Sequence, residues 1–220
     1  MGAIASANTA GLVFAGGRAT RMGGVNKALA VWEGRPMLDW VLERLLPQFS
    51  GPLYVSANRD ADLFNAALGR HCCRPYAVLS DRLADFPGPL AAFDAASAEK
   101  IDCEWVLTSP CDTPLLPRHL LERFAAAQRA ALTAGRDPDA FFAQGADGFP
   151  QPGFSVVRIS RLGEVRAFIE SGGRRLGGWL RSCGGEAVPI LSLESDESLA
   201  NLNSLDDMAA ASAWLRQVKG

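Results

Sequence analysis

Residues 12–27 read LVFAGGRATRMGGVNK, and this stretch decides how the rest of the chain is interpreted. The apolar run Leu12–Phe14 stops abruptly at Gly16 and Gly17, as a buried parallel strand does where it enters a loop. Glycines lack a Cβ atom, so the backbone can turn sharply while its N–H groups converge on an anion. The stretch therefore predicts a strand followed by a phosphate-binding loop.

Two basic side chains, Arg21 and Lys27, add positive charge to the same loop. Arginine binds phosphate oxygens bidentately, whereas lysine acts as a movable point charge. The spacing fits neither GxxxxGK[ST] nor GxGxxG, which argues against a Walker A loop and a dinucleotide site. The alternative is a flexible surface loop with incidental charges, which its position after a buried strand disfavours.

Strands and helices alternate along the chain after a loose lead-in over the first ten residues. Strands are predicted at Leu12–Phe14, Leu53–Val55, Tyr76–Leu79 and Trp105–Leu107, with weaker ones at Ala140–Ala143, Ser155–Ile159 and Val188–Leu191. Helices are predicted from Pro36, over 60–68, from Pro89, from Pro117 to about Ala130, and at Leu162–Ile169, Arg174–Arg181 and Leu205–Val218. Short connections between alternating elements predict an α/β fold with a mainly parallel, Rossmann-like sheet covered by helices on both faces. A small antiparallel excursion is expected after residue 135.

Ligands of such sheets bind beyond the carboxyl ends of the strands. This rule brings the residues that follow the first four predicted strands to one edge: Gly16 and Gly17, 56–58, Asp81, and Asp112. Asp112 suits Mg²⁺, because one or two carboxylates usually hold this ion while phosphates and waters complete its octahedron. The alternatives are a turn-stabilising role for Asp112 and a solvated turn carboxylate for Asp81.

Composition limits the function. The net charge of −2 argues against non-specific nucleic-acid binding, and there is neither a signal-peptide pattern nor an apolar run long enough to span a membrane. The five cysteines form no metal-binding spacing, and their odd number suggests reduced thiols. A cytoplasmic location is therefore expected. His71 and His119 are the only histidines, and nothing supports a Ser/His/Asp arrangement.

The pattern Gly-Gly-x-x-x-Arg-Met-Gly-Gly-x-x-Lys after an apolar strand resembles the signature loop of the molybdenum cofactor guanylyltransferases, which are Rossmann-like nucleotidyltransferases. Three later segments resemble the same family in the same order: VSANR at 55–59, DRLADFPGPL at 81–90 and SPCDTP at 109–114. The triplet at 15–17 is similar to that of the GTP-using members, whereas CTP-using relatives more often have Ala-Ala-Gly. A member of the family has Asn at the position of Ser56.

The resemblance implies one nucleotidyltransferase domain over residues 1–220, with a nucleotide part at about 10–120 and an acceptor part at about 121–220. It implies Mg²⁺ at Asp112 and catalytic roles for Arg21, Lys27 and Asp112. The GTP-binding residues it implies are Phe14, Ala15, Gly16, Gly17, Lys27, Ser56, Asn58, Asp81, Gly88 and Asp112.

The reaction implied is transfer of GMP from GTP to molybdopterin that carries molybdenum, with release of pyrophosphate. The attacking phosphate is already anionic, so no protein base is required. The acceptor-binding residues implied are Arg174, Arg175, Asn201 and Asn203, with helix charges and helix capping as their alternatives. Other molybdenum cofactor biosynthesis or acceptor proteins are expected partners, and neither nucleic acid nor a membrane is.

The chain departs from the family where FPQPGF at 149–154 replaces a His-Pro followed by a strand, and this affects the acceptor assignment. Two alternative functions stay open. One is a related nucleotidyltransferase that uses CTP, forming molybdopterin cytosine dinucleotide, or a sugar phosphate acceptor. The other is a non-catalytic GTP-binding regulator.

Overall fold

The computed structural model describes residues 2–16, 26–83, 88–190 and 197–219. Its strands are β1 Thr9–Phe14, β2 Val31–Trp32, β3 Arg35–Pro36, β4 Leu53–Ser56, β5 Tyr76–Leu79, β6 Trp105–Pro110, β7 Ala140–Gln144, β8 Pro150–Arg158 and β9 Glu186–Pro189. Its α-helices are α1 Met37–Leu45, α2 Ala61–His71, α3 Pro89–Ala96, α4 Leu120–Thr133, α5 Val165–Glu170, α6 Leu176–Ser182 and α7 Leu205–Lys219. Short 3₁₀ turns lie at Ser6–Asn8, Lys27–Leu29, Leu46–Gln48 and Ile159–Glu164.

A seven-stranded sheet in the order β5-β4-β1-β6-β8-β7-β9 forms the middle layer. Strands β5, β4, β1 and β6 are mutually parallel, and β9 is parallel to β7. Within the described part of the chain, β8 alone runs in the opposite direction, because it pairs antiparallel with both β6 and β7. The mainly parallel sheet and the antiparallel excursion are therefore confirmed.

Both faces of the sheet are buried, which explains the continuous apolar runs of its central strands. Val13 of β1 belongs to the apolar cluster that includes Leu42 of α1 and Phe124 of α4. The neighbouring Leu12 belongs to the opposite cluster, with Phe93 of α3 and Trp179 of α6. Helices cover the two faces, and the three layers of the predicted fold are complete.

The start of the chain was wrongly predicted as a loose lead-in. Strand β1 already begins at Thr9, which pairs with Trp105 of β6. The preceding Ile4 is buried, and its N–H donates to Gln128 Oε1 at 2.6 Å. Small residues are uninformative in sequence, yet here they allow the chain to pack closely against β6 and α4.

Helix α4 begins at Leu120, three residues later than predicted from Pro117. Gln48 accounts for the difference. Its Nε2 donates to the Pro117 carbonyl oxygen at 2.9 Å, and its Oε1 accepts from the N–H of Leu121 at 3.0 Å. A buried side chain from a distant element thus takes the place of the first helical turn's own hydrogen bonds.

Gly11 of β1 lies directly against the ring of Phe49, which is buried. A Cβ atom at Gly11 would lie 2.8 and 2.9 Å from Phe49 Cε1 and Cε2, closer than carbon atoms approach. We expect Gly11→Ala to lower the free energy of unfolding by about 1–3 kcal/mol, as overpacking of a core does. Urea unfolding measures this change. Gly163→Ala is the matched control, since no atom lies within 4 Å of the added Cβ, and a loss of equal size there would contradict the steric explanation.

Candidate active site

The strand ends that the sequence predicted to meet do lie side by side. Phe14, the last residue of β1, is in register with Ser56 of β4 and with Pro110 of β6. Ser56 is in turn in register with Leu79 of β5. The segments that follow these four parallel strands therefore emerge at one edge of the sheet, which we call the catalytic edge.

One half of this edge holds a reciprocal pair, Asn58 and Asp81. Asn58 Nδ2 donates to Asp81 Oδ2 at 2.8 Å, and the N–H of Asp81 donates to Asn58 Oδ1 at 2.7 Å. Burial raises the pKa of the Asp81 carboxyl; hydrogen bonds from Asn58 and Ser56 oppose this effect, and the charge of Asp94 adds to it. A Cβ atom at Gly16 would lie 3.5 Å from Ser56 Oγ, so the start of the glycine loop borders this pair. The two hydrogen bonds fix the amide and the carboxylate relative to each other.

Lys27 stands at the centre of the edge. Asn26, immediately before it, accepts a hydrogen bond from the N–H of Ala28 at 3.2 Å and donates to Asp60 Oδ2 at 3.2 Å. This cap starts the 3₁₀ turn that carries Lys27. Lys27 Nζ lies 3.6 Å from Asp112 Oδ2 and donates a hydrogen bond to Asn203 Oδ1.

Asp112 follows β6 and is mostly buried, with 14% of its side chain exposed. Burial raises the pKa of its carboxyl, and the Lys27 ammonium opposes the increase. The adjacent Cys111 thiol is buried, which raises its pKa, so it is a packing residue rather than a thiolate nucleophile. The N–H of Cys111 donates to the Phe14 carbonyl oxygen at 3.1 Å, which fixes the turn after β6 next to the end of β1.

The segment at 197–203 returns to the catalytic edge and is held by the chain around Asp112. The N–H of Leu202 donates to the Asp112 carbonyl oxygen at 2.8 Å, and Thr113 Oγ1 donates to Asn201 Oδ1 at 2.8 Å. Asn203 thereby reaches Lys27. Ser204 caps α7, because its Oγ accepts from the N–H of Asp207 at 3.1 Å.

The remaining predicted residues are distributed as follows. Gly88 precedes α3 with φ = 131°, a conformation that side chains with a Cβ atom rarely adopt. Arg174 lies between α5 and α6, and its Nη1 donates to the Ile169 carbonyl oxygen at 2.7 Å. Arg175 is the N-cap of α6. Gly17 and Arg21 lie outside the described residues.

Sequence reasoning missed Asn26 and Thr113, which position Lys27 and Asn201. A signal for Asn26 was available, since asparagine is a preferred cap directly before a helical turn. For Thr113 no local signal exists, because its partner is far away in the sequence. The predicted pair Asp112 and Lys27, by contrast, is brought together.

The donor set fits a magnesium ion held jointly with a nucleotide. In the described ranges no group of three or more acidic, histidine or cysteine side chains forms a complete metal cage. Mg²⁺ does not need such a cage, because substrate phosphates and waters supply most of its ligands. Asp112 provides a carboxylate at the edge, and the Lys27 ammonium lies 3.6 Å from it.

The raised pKa of Asp112 predicts an effect on stability. The folded protein binds a proton at this carboxyl more readily than the unfolded chain, so its ionisation costs stability above the folded pKa. Below the ordinary value of 3.8 the cost disappears. We expect Asp112→Asn to raise the Tm of the nucleotide-free protein at pH 7.5, and the gain to shrink as the pH falls towards 4. Thermal unfolding beside an Asp102→Asn control measures this, and a lower Tm at pH 7.5 would contradict it.

A three-layer α/β fold that brings a lysine and a mostly buried aspartate to the carboxyl ends of parallel strands is an arrangement that enzymes acting on nucleoside triphosphates use. Residues 11–186 match the model of the MobA-like NTP transferase domain. The chain therefore belongs to this family, and it is an enzyme, a nucleotidyltransferase.

Individual relatives agree with this membership. The molybdenum cofactor guanylyltransferase of Burkholderia orbicola is 37% identical over 219 residues, which cover 96% of this chain and 98% of that protein. The protein of the same name from Cupriavidus taiwanensis is 33% identical over 215 residues, covering 96% and 99%.

Solved structures share the fold. The molybdopterin-guanine dinucleotide biosynthesis protein A of Archaeoglobus fulgidus has a TM-score of 0.67 at 20% identity, covering 94% of this chain and 99% of that one. The inositol-1-phosphate CTP transferase of T. maritima has a TM-score of 0.71 at 12% identity, covering 97% of both chains. Among the helices of the described residues, none has the length and apolar character needed to cross a membrane.

Proposed function

We propose that the protein transfers GMP from GTP to the terminal phosphate of molybdopterin that carries molybdenum, forming molybdopterin guanine dinucleotide and pyrophosphate. The observation that carries the proposal is the joint position of Lys27, Asp112 and Asn203 at the catalytic edge. In the proposal, this cluster joins the residues that bind the nucleotide to those that bind the acceptor. Similarity over nearly the full length to proteins named molybdenum cofactor guanylyltransferase supports the choice of substrates.

In this proposal GTP lies along the edge with its nucleoside towards Asn58 and Asp81, and its phosphates towards the glycine loop and Lys27. The Asp81 carboxylate and the amide of Asn58 offer hydrogen-bond acceptors and donors to the nucleoside. Gly16 keeps the backbone close to the phosphates, and Gly17 and Arg21 are proposed to extend the same loop. Ser56 supports Asp81 through its hydrogen bond.

The acceptor phosphate attacks the α-phosphorus of GTP, and the bond to pyrophosphate breaks. Mg²⁺, proposed at Asp112, supplies charge neutralisation to the phosphates when bound. Lys27 holds the negative charge that moves onto the leaving pyrophosphate. Asn201 and Asn203 are proposed to bind the acceptor substrate, and Arg174 and Arg175 its anionic groups.

The test is a comparison of GTP, CTP, ATP and UTP with Mg²⁺ and each candidate acceptor, with pyrophosphate release as the measurement. We expect release with GTP and molybdenum-loaded molybdopterin, and the dinucleotide identified by mass. Release with CTP but not with GTP would contradict the proposal in favour of a cytidylyltransferase, and release with a sugar phosphate would assign a different acceptor. GTP binding without turnover on any acceptor would indicate a regulator. Protein partners and the cytoplasmic location stay predictions.

A further inference from the structure

The turn between β7 and β8 lies at the catalytic edge. Strand β7 runs in the same direction as β6, because each pairs antiparallel with β8. The carboxyl end of β7 therefore reaches the edge that carries Asp112. The residues after it, 145–149, form the turn, and the last of them is Phe149.

Hydrogen bonds hold this turn in one conformation. The N–H of Gly148 donates to the Gly145 carbonyl oxygen, and the N–H of Gly145 to that of Phe149, both at 2.9 Å. The N–H of Phe149 donates to Asp147 Oδ1 at 3.0 Å, and Gln144 Nε2 donates to the Gly148 carbonyl oxygen at 2.7 Å. A backbone ordered in this way lowers the entropy that a ligand-binding residue must lose.

The ring that this turn holds is left in solvent. Phe149 is 68% exposed, so it contributes little to the core. Among the described residues, Tyr76 is the other exposed aromatic side chain, at 38%. It lies at the amino end of β5, away from the catalytic edge. Within the described ranges, Phe149 is therefore the most exposed aromatic ring, and it lies in the turn that follows β7.

Two contacts show where β8, the strand that follows the turn, passes the catalytic edge. A Cβ atom at Gly153 would lie 2.9 Å from Pro110 Cγ, so β8 passes directly beside the residue that precedes Cys111 and Asp112. Phe149 is four residues before Gly153, which limits their Cα separation to about 14 Å. Pro152, between them, lies 3.8 Å from the position of a Cβ atom at Gly177 in α6.

We propose that Phe149 binds the acceptor substrate by stacking on its flat bicyclic pterin ring. The inference rests on the proposed function, which supplies an acceptor with a planar heteroaromatic ring and a phosphate. A phosphate near Lys27 and Asp112 leaves the rest of the acceptor to extend over β6 and β8, towards Phe149. An aromatic face suits this ring, because two flat aromatic systems can stack on each other. Stacking of this kind tolerates variation at the ring edge, because every such ring has a π-face.

The experiment compares Phe149→Ala, Phe149→Leu and Phe149→Tyr in steady-state transfer from GTP to molybdopterin. Because base–aromatic stacking contributes about 1–3 kcal/mol, the alanine variant should raise the acceptor KM by roughly 5- to 150-fold. The GTP KM should stay unchanged. Phe149→Tyr should keep the wild-type acceptor KM. Phe149→Leu should raise it, because leucine is apolar but cannot stack.

Leu132→Ala is the matched control, since Leu132 is 47% exposed near the end of α4, away from the catalytic edge. An acceptor KM within twofold of wild type in Phe149→Ala, or full activity of Phe149→Leu, would overturn the proposal. So would an equal rise in Leu132→Ala. Failure of the proposed function would give a different result, because the wild-type protein itself would then form no dinucleotide. Equilibrium dialysis of molybdopterin against wild type and Phe149→Ala separates the two cases: equal binding rejects the stacking role, and weaker binding to the variant supports it.

Discussion

Replacing Asp112 with asparagine is expected to lower turnover by about 10³-fold while the protein stays folded. The amide keeps the shape of the side chain but removes the charge that would hold Mg²⁺ beside the triphosphate. Burial already raises the pKa of the Asp112 carboxyl, so the fold does not depend on its ionised form. Pyrophosphate release with GTP and acceptor measures the loss, and circular dichroism checks the fold.

A metal-specific measurement separates this explanation from a general disturbance of the edge. Mn²⁺ in place of Mg²⁺ should give an electron paramagnetic resonance signal of bound ion in the wild-type protein with GTP, and this signal should weaken in Asp112→Asn. Asp102→Asn, an exposed carboxylate before β6, is the control and should retain both signal and turnover. Asp112→Asn with more than a tenth of wild-type turnover would rule out the proposed metal site.

The catalytic edge was predictable because it depends on strand direction alone. Once alternating elements indicate parallel strands, the residues that follow them must share one edge, whatever the strand order. This is why Asn58, Asp81 and Asp112 were found from sequence. The hydrogen bonds between Asn58 and Asp81 were not predicted from sequence, because they depend on β4 and β5 being neighbours in the sheet.

Contacts between distant segments could not be predicted where neither segment lies in a recognisable motif. The amides around Asn201 have no local pattern that directs them to Thr113, 88 residues away. Gln48 is an ordinary polar residue in sequence, yet its side chain determines where α4 begins. In both cases a side chain satisfies backbone or polar groups of another element, and only the assembled fold defines the partner.

Lys27→Ala is expected to lower kcat by about 10²–10³-fold, the usual loss when one group that stabilises developing charge is removed. Nζ of Lys27 lies 3.6 Å from Asp112 Oδ2, so its charge acts where the phosphates and the metal would meet. Lys27→Arg should recover part of the loss, because it keeps the charge but spreads it over a planar group. Lys100→Ala, an exposed lysine after α3, is the control and should leave kcat unchanged. Single-turnover pyrophosphate release measures the chemical step directly.

Lys27 also donates to Asn203, and this second contact offers a different explanation of the same loss. Without the lysine, the segment at 197–203 would lose one of its attachments to the catalytic edge. Asn203→Ala removes that attachment and leaves the ammonium beside Asp112. If the charge of Lys27 acts on the phosphates, Asn203→Ala should mainly raise the acceptor KM and change kcat less than fivefold, which is a far smaller loss than the lysine variant shows. Equal losses of kcat in the two variants would mean that Lys27 serves chiefly to hold the segment at 197–203 in position. Removing the charge of Lys27 would then add nothing to removing its contact with Asn203.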